Sequence, residues 1–263
     1  MILRRLTENL RAQNWTAISI EFLIVVIGVF IGTQVSNWNQ ARLEKRETER
    51  MLVNLGPELE GQLQFFEDVR AYYRTTRRYA DQALAGWNGS ADVDDNQFVI
   101  AAYQATQITG IGTNTENWAL TFGGEQLRNI EDPQVRRKLE VILTSDYEPI
   151  GLTAAASPYR EQVRRIIPIA VQDAIRRECG DRFYPGTVGF VRITLPDGCA
   201  LRIPANEAAK IAAALRARPD LARELNWHLA GIAVVLTNVD ILEAPVRGLS
   251  RDLMTSSGKP ATR

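Results

Sequence analysis

Hydrophobic positions along the chain form one unbroken apolar run, followed by a long series of helical stripes. Ile18 to Val35, ISIEFLIVVIGVFIGTQV, is apolar at most positions, and Glu21 is its only ionisable residue. A helix needs roughly 20 such residues to cross the hydrocarbon core of a bilayer. Trp15 and Trp38 flank the run, where indole rings favour the headgroup level. Residues 15–38 therefore read as a transmembrane helix. The run exceeds the apolar core of a cleaved signal peptide, and Ser36-Asn37-Trp38-Asn39-Gln40 offers no A-x-A cleavage pattern. An uncleaved anchor fits better.

Residues 1–14 read as a short cytoplasmic or interfacial segment, with Ile2, Leu3, Leu6 and Leu10 on one face and arginines on the other. From 39 to 90 the pattern becomes a long amphipathic helix. Gln40 to Arg50 is a charged stalk, and Leu52, Leu55, Leu59, Leu63, Phe66, Val69 and Tyr73 recur at helical spacing. Pro57 predicts a kink or a new first turn within it. Residues 91–255 read as a helical soluble domain. Its helices are expected from Asp95 to about Ile108, from Asp132-Pro133 to about Ser145, and from Pro158 onward with a kink at Pro168. An Ala-rich helix capped by Asn206 and an apolar helix from Leu221 to about Leu242 follow. The β signal is Val188 to Leu195, with a turn at Pro196-Asp197-Gly198 and a return strand from Cys199 to Ile203. That places a hairpin at 188–203, and 256–263 is a tail. The fold class is mainly α: a single N-terminal transmembrane helix plus a helical-bundle soluble domain with one small β-hairpin.

Composition narrows the chemistry. With 31 Lys+Arg against 31 Asp+Glu, formal net charge is zero, so no bulk basic field for nucleic acid exists. Two cysteines and one histidine fall short of the roughly four ligands of a structural zinc site. No phosphate-binding, dinucleotide, zincin or nucleophile-elbow motif is present, so no catalytic, cofactor or metal residue is assigned. His228, next to Trp227 on an apolar helix, reads as a core or interface residue. The doublets Arg77-Arg78, Arg136-Arg137, Arg164-Arg165 and Arg176-Arg177 read as solvated helix faces; convergence on an anionic ligand is the alternative. Cys179 and Cys199 either bridge the hairpin to the preceding helix, worth roughly 3 kcal/mol, or stay two buried thiols. Within the span, Gly28 and Gly32 form a G-x-x-x-G that either packs against a partner helix or is simply tolerated. Glu21 is either a functional intramembrane carboxylate or a side chain reaching the interface.

Basic residues flank the span on both sides, so their count does not fix orientation. A short arginine-bearing tail is hard to translocate, whereas long domains cross largely regardless of charge. Paired cysteines also suit an oxidising compartment. A single pass through a bacterial inner membrane is expected, with the N-terminus cytoplasmic and the main domain periplasmic.

Two blocks carry a resemblance. One is Ile24 to Asn39, IVVIGVFIGTQVSNWN; the other is Asn117 to Leu139, a Trp-containing helix, Gly123-Gly124, Ile130-Glu131-Asp132-Pro133 and Val135-Arg136-Arg137-Lys138-Leu139. Together they resemble a family of single-pass bacterial envelope proteins without assigned function, which carry an IVVxGVxIxxQVxNWN-like span followed by a helical domain. The resemblance implies a membrane-anchored helical domain and brings no activity or catalytic residues. The expected role is non-enzymatic: an envelope interaction or assembly subunit. Its expected partners are the lipid bilayer, a second copy through the span, and an envelope protein. A periplasmic ligand-sensing domain acting through a membrane partner is the alternative, and an unrecognised hydrolase comes third.

Overall fold

The computed structural model describes residues 15–110, 115–146, 156–187 and 190–257. The segment 1–14, most of the predicted tail, and Val188-Gly189 of the predicted strand lie outside the described residues.

One helix, α1 (Trp15–Trp87), runs for 73 residues without interruption. At 1.5 Å per residue that is about 110 Å. Span and amphipathic helix are therefore one element rather than two. Its first part is exposed on all sides from Phe22 through Trp38. Its second part buries Leu55, Leu59, Phe66, Val69 and Tyr73 of the expected stripe, leaves Leu52 and Leu63 partly buried, and continues the stripe to Ala80 and Ala83. The new first turn expected at Pro57 is not formed; the helix passes through it. Proline lacks the N–H that would bond the Val53 carbonyl, and Val53 is exposed, so water can serve that oxygen. Gly56 has no Cβ to meet the proline ring.

The other elements dock on the upper half of α1. They are α2 (Asp95–Gln104), α3 (Thr115–Phe122), α4 (Glu125–Arg128), α5 (Pro133–Thr144), α6 (Pro158–Ile166), α7 (Ile169–Cys179), β1 (Arg182–Pro185), β2 (Val191–Thr194), α8 (Ala205–Arg216) and α9 (Asp220–Ser257). Helix α2 is buried on every side from Phe98 to Gln104 and starts with a capping box between Asp94 and Gln97. Its Phe98 ring lies where Gly86 of α1 leaves room, since a Cβ on Gly86 would fall 2.2 Å from Phe98 Cδ2. Trp118 of α3 donates its Nε1–H to Glu58 of α1 at 2.6 Å. Helix α5 begins as expected, with the Asp132 side chain accepting from Gln134 and Val135 and with Val135, Leu139 and Ile142 buried.

Helix α9 lies antiparallel to α1: Arg70 meets Asp240 and Glu243, while Leu253 and Met254 reach the level of Leu52 and Val53. It is far longer than the expected Leu221–Leu242 stretch and continues through Pro245.

Three expectations are corrected. The single helix kinked at Pro168 is two helices, because the residue before a proline is pushed out of the α region. Ile167 takes φ −78 and ψ 121, and Gln172 Nε2 donates to the freed Arg164 and Ile167 carbonyls at 2.7 and 2.8 Å. The Ala-rich helix starts at Ala205 behind Pro204, with no side-chain cap from Asn206. The hairpin at 188–203 is displaced: β2 pairs antiparallel with β1 upstream, Phe183 opposite Ile193, rather than with 199–203. The expected return strand is occupied elsewhere. The Asn96 side chain takes the Leu201 carbonyl and the Ile203 N–H at 3.1 and 2.8 Å. The Pro196-Asp197 turn docks on α1 through Tyr79 and Thr75. Cys179 and Cys199 are bridged, with Cα atoms 5.3 Å apart, which ties this segment to the end of α7.

Two glycine substitutions with opposite expected signs test this packing. Gly86→Ala forces the Phe98 ring to move and is expected to destabilise by about 1–3 kcal/mol. Gly248→Ala, whose added Cβ would meet Lys138 at an ordinary 3.6 Å, is expected to stabilise by about 0.5–1 kcal/mol. Urea unfolding of the full chain in detergent reads both.

Candidate functional site

The domain contains an unusually polar interior patch. It centres on the chain leaving α2, where Gln104, Thr106, Gln107 and Thr109 are all buried. A buried segment outside regular structure must find partners for its backbone and side chains. Here they come from α1, α6 and α7. Tyr73 Oη donates to the Thr109 carbonyl at 3.1 Å, and Gln104 Nε2 donates to the Cys179 carbonyl at 2.6 Å. Arg160 Nη1 donates to the Thr106 carbonyl at 2.6 Å. Arg164 donates from Nε to Thr106 Oγ1 and from Nη2 to Gln107 Oε1, both at 3.0 Å, and its guanidinium lies 4.9 Å from the Tyr103 ring centroid. Arg176 reaches the same tyrosine, Nη1 to Oη at 3.3 Å, while also pairing with Asp173.

One carboxylate enters the patch. The bridge at Cys179 fixes the start of the segment carrying Asp181, and Tyr72 Oη donates to Asp181 Oδ1 at 2.9 Å. Burial pushes the Asp181 carboxyl above its ordinary value, against the opposing pull of Tyr72, Arg164 and Arg160. Burial holds Arg160 and Arg164 below the ordinary arginine value, and their mutual repulsion adds to this in Arg164. The Tyr73 hydroxyl is pushed up to about 12 by burial, and Tyr72 is raised by burial and by Asp181. Neither Arg160 nor Arg164 forms an ion pair with the described residues.

Beside the patch, Ser157 Oγ lies 2.8 Å from His228 Nδ1, and His228 stacks on Tyr159. A serine–histidine contact invites a hydrolytic reading, but the geometry opposes it. His228 is 2% exposed and its Nε2 has no hydrogen-bond partner among the described residues. A catalytic imidazole needs its second nitrogen oriented, typically by a carboxylate. Burial, aided by the Arg160 charge, pushes His228 down to about 4, which makes it a weak base. The serine oxygen instead caps α6, accepting from the Arg160 N–H.

The doublets expected as solvated faces divide. Arg165 stays on the surface against Glu161, and Arg177 is exposed, while Arg164 and Arg176 turn toward Tyr103. Sequence singled out these two, but gave no sign that Arg160 or the Ser157–His228 contact belonged with them. Of the other expected positions, Gly28 and Gly32 face open space beyond their Cα atoms. Glu21 is half-buried, and its Oε2 has no partner among the described residues. Cys179 and Cys199, being bonded to each other, offer no free thiol. No group of three His, Cys, Asp or Glu side chains converges as a metal site among the described residues. An apolar groove of about 620 Å³ lies lower on α1, between Leu52, Val53, Pro57, Ile130, Leu253 and Met254, with the Lys45–Glu131 pair at its edge.

No protein-family model, curated protein or solved structure matches this chain.

The buried histidine sets a pH dependence. Its value falls from an ordinary 6.5 to about 4 on folding, so the fold favours the neutral ring. Stability is fully present above pH 6.5 and declines as pH drops toward 4, by about 3 kcal/mol from this group. Ser157, Tyr159, Arg160 and the Ala105 backbone face it; Ala105 opposes the shift, and only Arg160 carries charge at these pH values. Urea unfolding at pH 7.5, 5.5 and 4.5 should show that decline, and His228→Gln should flatten it. An unchanged slope in the variant would assign the effect to other groups.

Proposed function

We propose that this chain is a single-pass membrane protein whose helical domain is held at a bilayer by the exposed apolar arm of α1, and that it works as a non-enzymatic interaction or assembly subunit. The observation that carries the reading is the continuity of α1. Its apolar window has no residue buried by the rest of the chain, yet the same helix becomes the core helix of the domain. An exposed all-round apolar helix is stable in lipid and a liability in water. Helix α9 is also long and apolar enough to cross a membrane. Its buried stripe of Leu225, Ile232, Val235, Val239, Val246 and Leu249 supports a core role instead. In this reading the membrane is a bacterial inner membrane with the N-terminus cytoplasmic and the domain periplasmic; the arginines before the span and the bridged cysteines support that orientation.

Two faces support self-association as the interaction. Gly28 and Gly32 leave a flat stripe on the span. On α9, Trp227, Val234 and Ile241 are 70%, 60% and 64% exposed and stand seven residues apart, with exposed Ala230 and Thr237 between them and Ala244 one turn beyond. A seven-residue apolar repeat suits another helix, and β-branched residues at alternate seam positions suit a pair. Because α9 runs along α1, two copies anchored in one bilayer present this seam in parallel.

Alkaline carbonate should leave the full chain in the membrane pellet. Val26→Arg with Phe30→Arg, each costing about 2.5–3.5 kcal/mol at the centre of a span, should release it. Release of the unaltered chain would end the anchoring reading. Gly28→Leu with Gly32→Leu should lower the crosslinked oligomer size in native membranes; an unchanged size removes the glycine stripe from the interface. Thiol labelling of denatured membranes should require reductant at Cys179 and Cys199, and equal labelling without it would oppose the periplasmic assignment.

A further inference from the structure

We propose that Arg160, Arg164 and Arg176, grouped around Tyr103 and Thr106, form a binding site for a small oxyanion, a phosphate or carboxylate group presented by a solute. Three guanidiniums from α6 and α7 meet one tyrosine ring and one buried chain segment. Arg160 and Arg164 bond to the same residue, Thr106, through its carbonyl and its hydroxyl. These bonds go to neutral oxygens. They fix the guanidinium planes without cancelling their charge, which is how a recognition site is organised before its ligand arrives.

Elsewhere the chain treats a half-buried arginine differently. Arg70, 18% exposed, is met by Asp240 and Glu243. At Arg160 and Arg164 no carboxylate stands at ion-pair distance among the described residues. Asp181 acts on both from beyond that distance, and its Oδ1 already accepts the Tyr72 hydroxyl. Arg176 is already paired with Asp173, so the excess positive charge of the patch rests on Arg160 and Arg164. It also keeps spare donors: Nε and Nη2 of Arg160 and Nη1 of Arg164 make no hydrogen bond to the described residues. An arginine fork with free donors matches the paired oxygens of phosphate or carboxylate. Arg176 is the most exposed of the three, with its side chain 43% exposed.

The same chemistry exists in lipid headgroups, but distance argues for a solute. Tyr72, bonded to Asp181 in this patch, lies 34 residues beyond Trp38 on the unbroken helix α1. That is about 50 Å along the axis, far beyond a headgroup layer at Trp38. This choice of source rests on the membrane-anchored reading; oxyanion binding itself does not.

The test uses the full chain in neutral detergent, titrated with inorganic phosphate and with succinate against chloride at equal ionic strength, read by thermal unfolding and calorimetry. A saturable rise in unfolding temperature with at least one oxyanion is expected. Arg160→Gln and Arg164→Gln should each weaken binding at least tenfold, whereas Arg165→Gln on the surface should leave it unchanged. Should either glutamine variant fail to fold, Arg164→Lys keeps the charge and loses the fork, and Arg176→Gln alters only an exposed side chain; both should weaken binding severalfold. No saturable effect beyond chloride, or equal binding in the variants, overturns the site. Reconstitution separates the sources: phosphate affinity should be the same in neutral and phosphatidylglycerol-containing vesicles. Competition by the anionic vesicles would overturn the solute assignment, while carbonate extraction independently decides the anchoring.

Discussion

Everything in this molecule is referred to a single helix whose pattern of apolar and charged positions changes along its length without a break. Between Ile20 and Val35, α1 is apolar around its circumference; between Gln40 and Arg50 it is densely charged; from Leu55 it is apolar on one side only. Each pattern suits a different surrounding, namely lipid, water and a protein core. The domain cannot shift relative to the arm without breaking the stripe that its other elements grip. Helix α9 fixes the register of that grip. Arg70 is caught between Asp240 and Glu243, and Lys138 of α5 reaches Asp252 at 2.6 Å. Exposed pairs contribute only about 0–1 kcal/mol. The partly buried Arg70 group matters more for alignment, because a one-turn slip of α9 would take both α9 carboxylates from it and leave only the exposed Glu67 of its own helix.

The three prolines within the helical stretches show how local context decides whether the chain continues. Pro57 and Pro245 are accommodated; Pro168 is not. In the first two cases the carbonyl deprived of its donor belongs to Val53 or Ile241, both exposed, and the preceding residue is small, Gly56 or Ala244. At Pro168 the preceding residue is Ile167, buried and β-branched, which crowds the proline ring. The break has a consequence for the site. It lets α7 turn, so that Arg176 on α7 and Arg164 on α6 reach the same tyrosine.

Legibility in the sequence followed the range of the interaction. Helices with strong periodic stripes were readable: the α1 stripe from Leu55, Asp132-Pro133 with Val135, Leu139 and Ile142, and the apolar α9. The hairpin was readable as β but not in register. The alternation at 191–194 permits either neighbour, and the choice was made by Asn96 from a helix about a hundred positions upstream. The polar patch was mostly hidden for the same reason. Arg164 and Arg176 stood out as doublet members, yet nothing in the sequence separates them from Arg165 and Arg177, because orientation is set by packing against Tyr103. Ser157 and His228 are 71 positions apart and belong to no recognisable spacing.

What remains is why a helical domain keeps such a patch in place of an apolar one. Buried polar networks are tolerated when their members are satisfied, and replacing them with apolar side chains is often neutral or stabilising. The Arg160 and Arg164 arrangement is satisfied in hydrogen bonds at the Thr106–Gln107 segment but not in charge. A purely structural clamp on that segment needs only donors, which a neutral glutamine side chain supplies, as Gln172 does for the Arg164 and Ile167 carbonyls. The use of two cations where neutral donors would serve, alongside a carboxylate already taken by Tyr72, is better explained by a charge that arrives from outside. Catalysis explains it less well, since the adjacent imidazole is buried, weakly basic and without an orienting partner on Nε2.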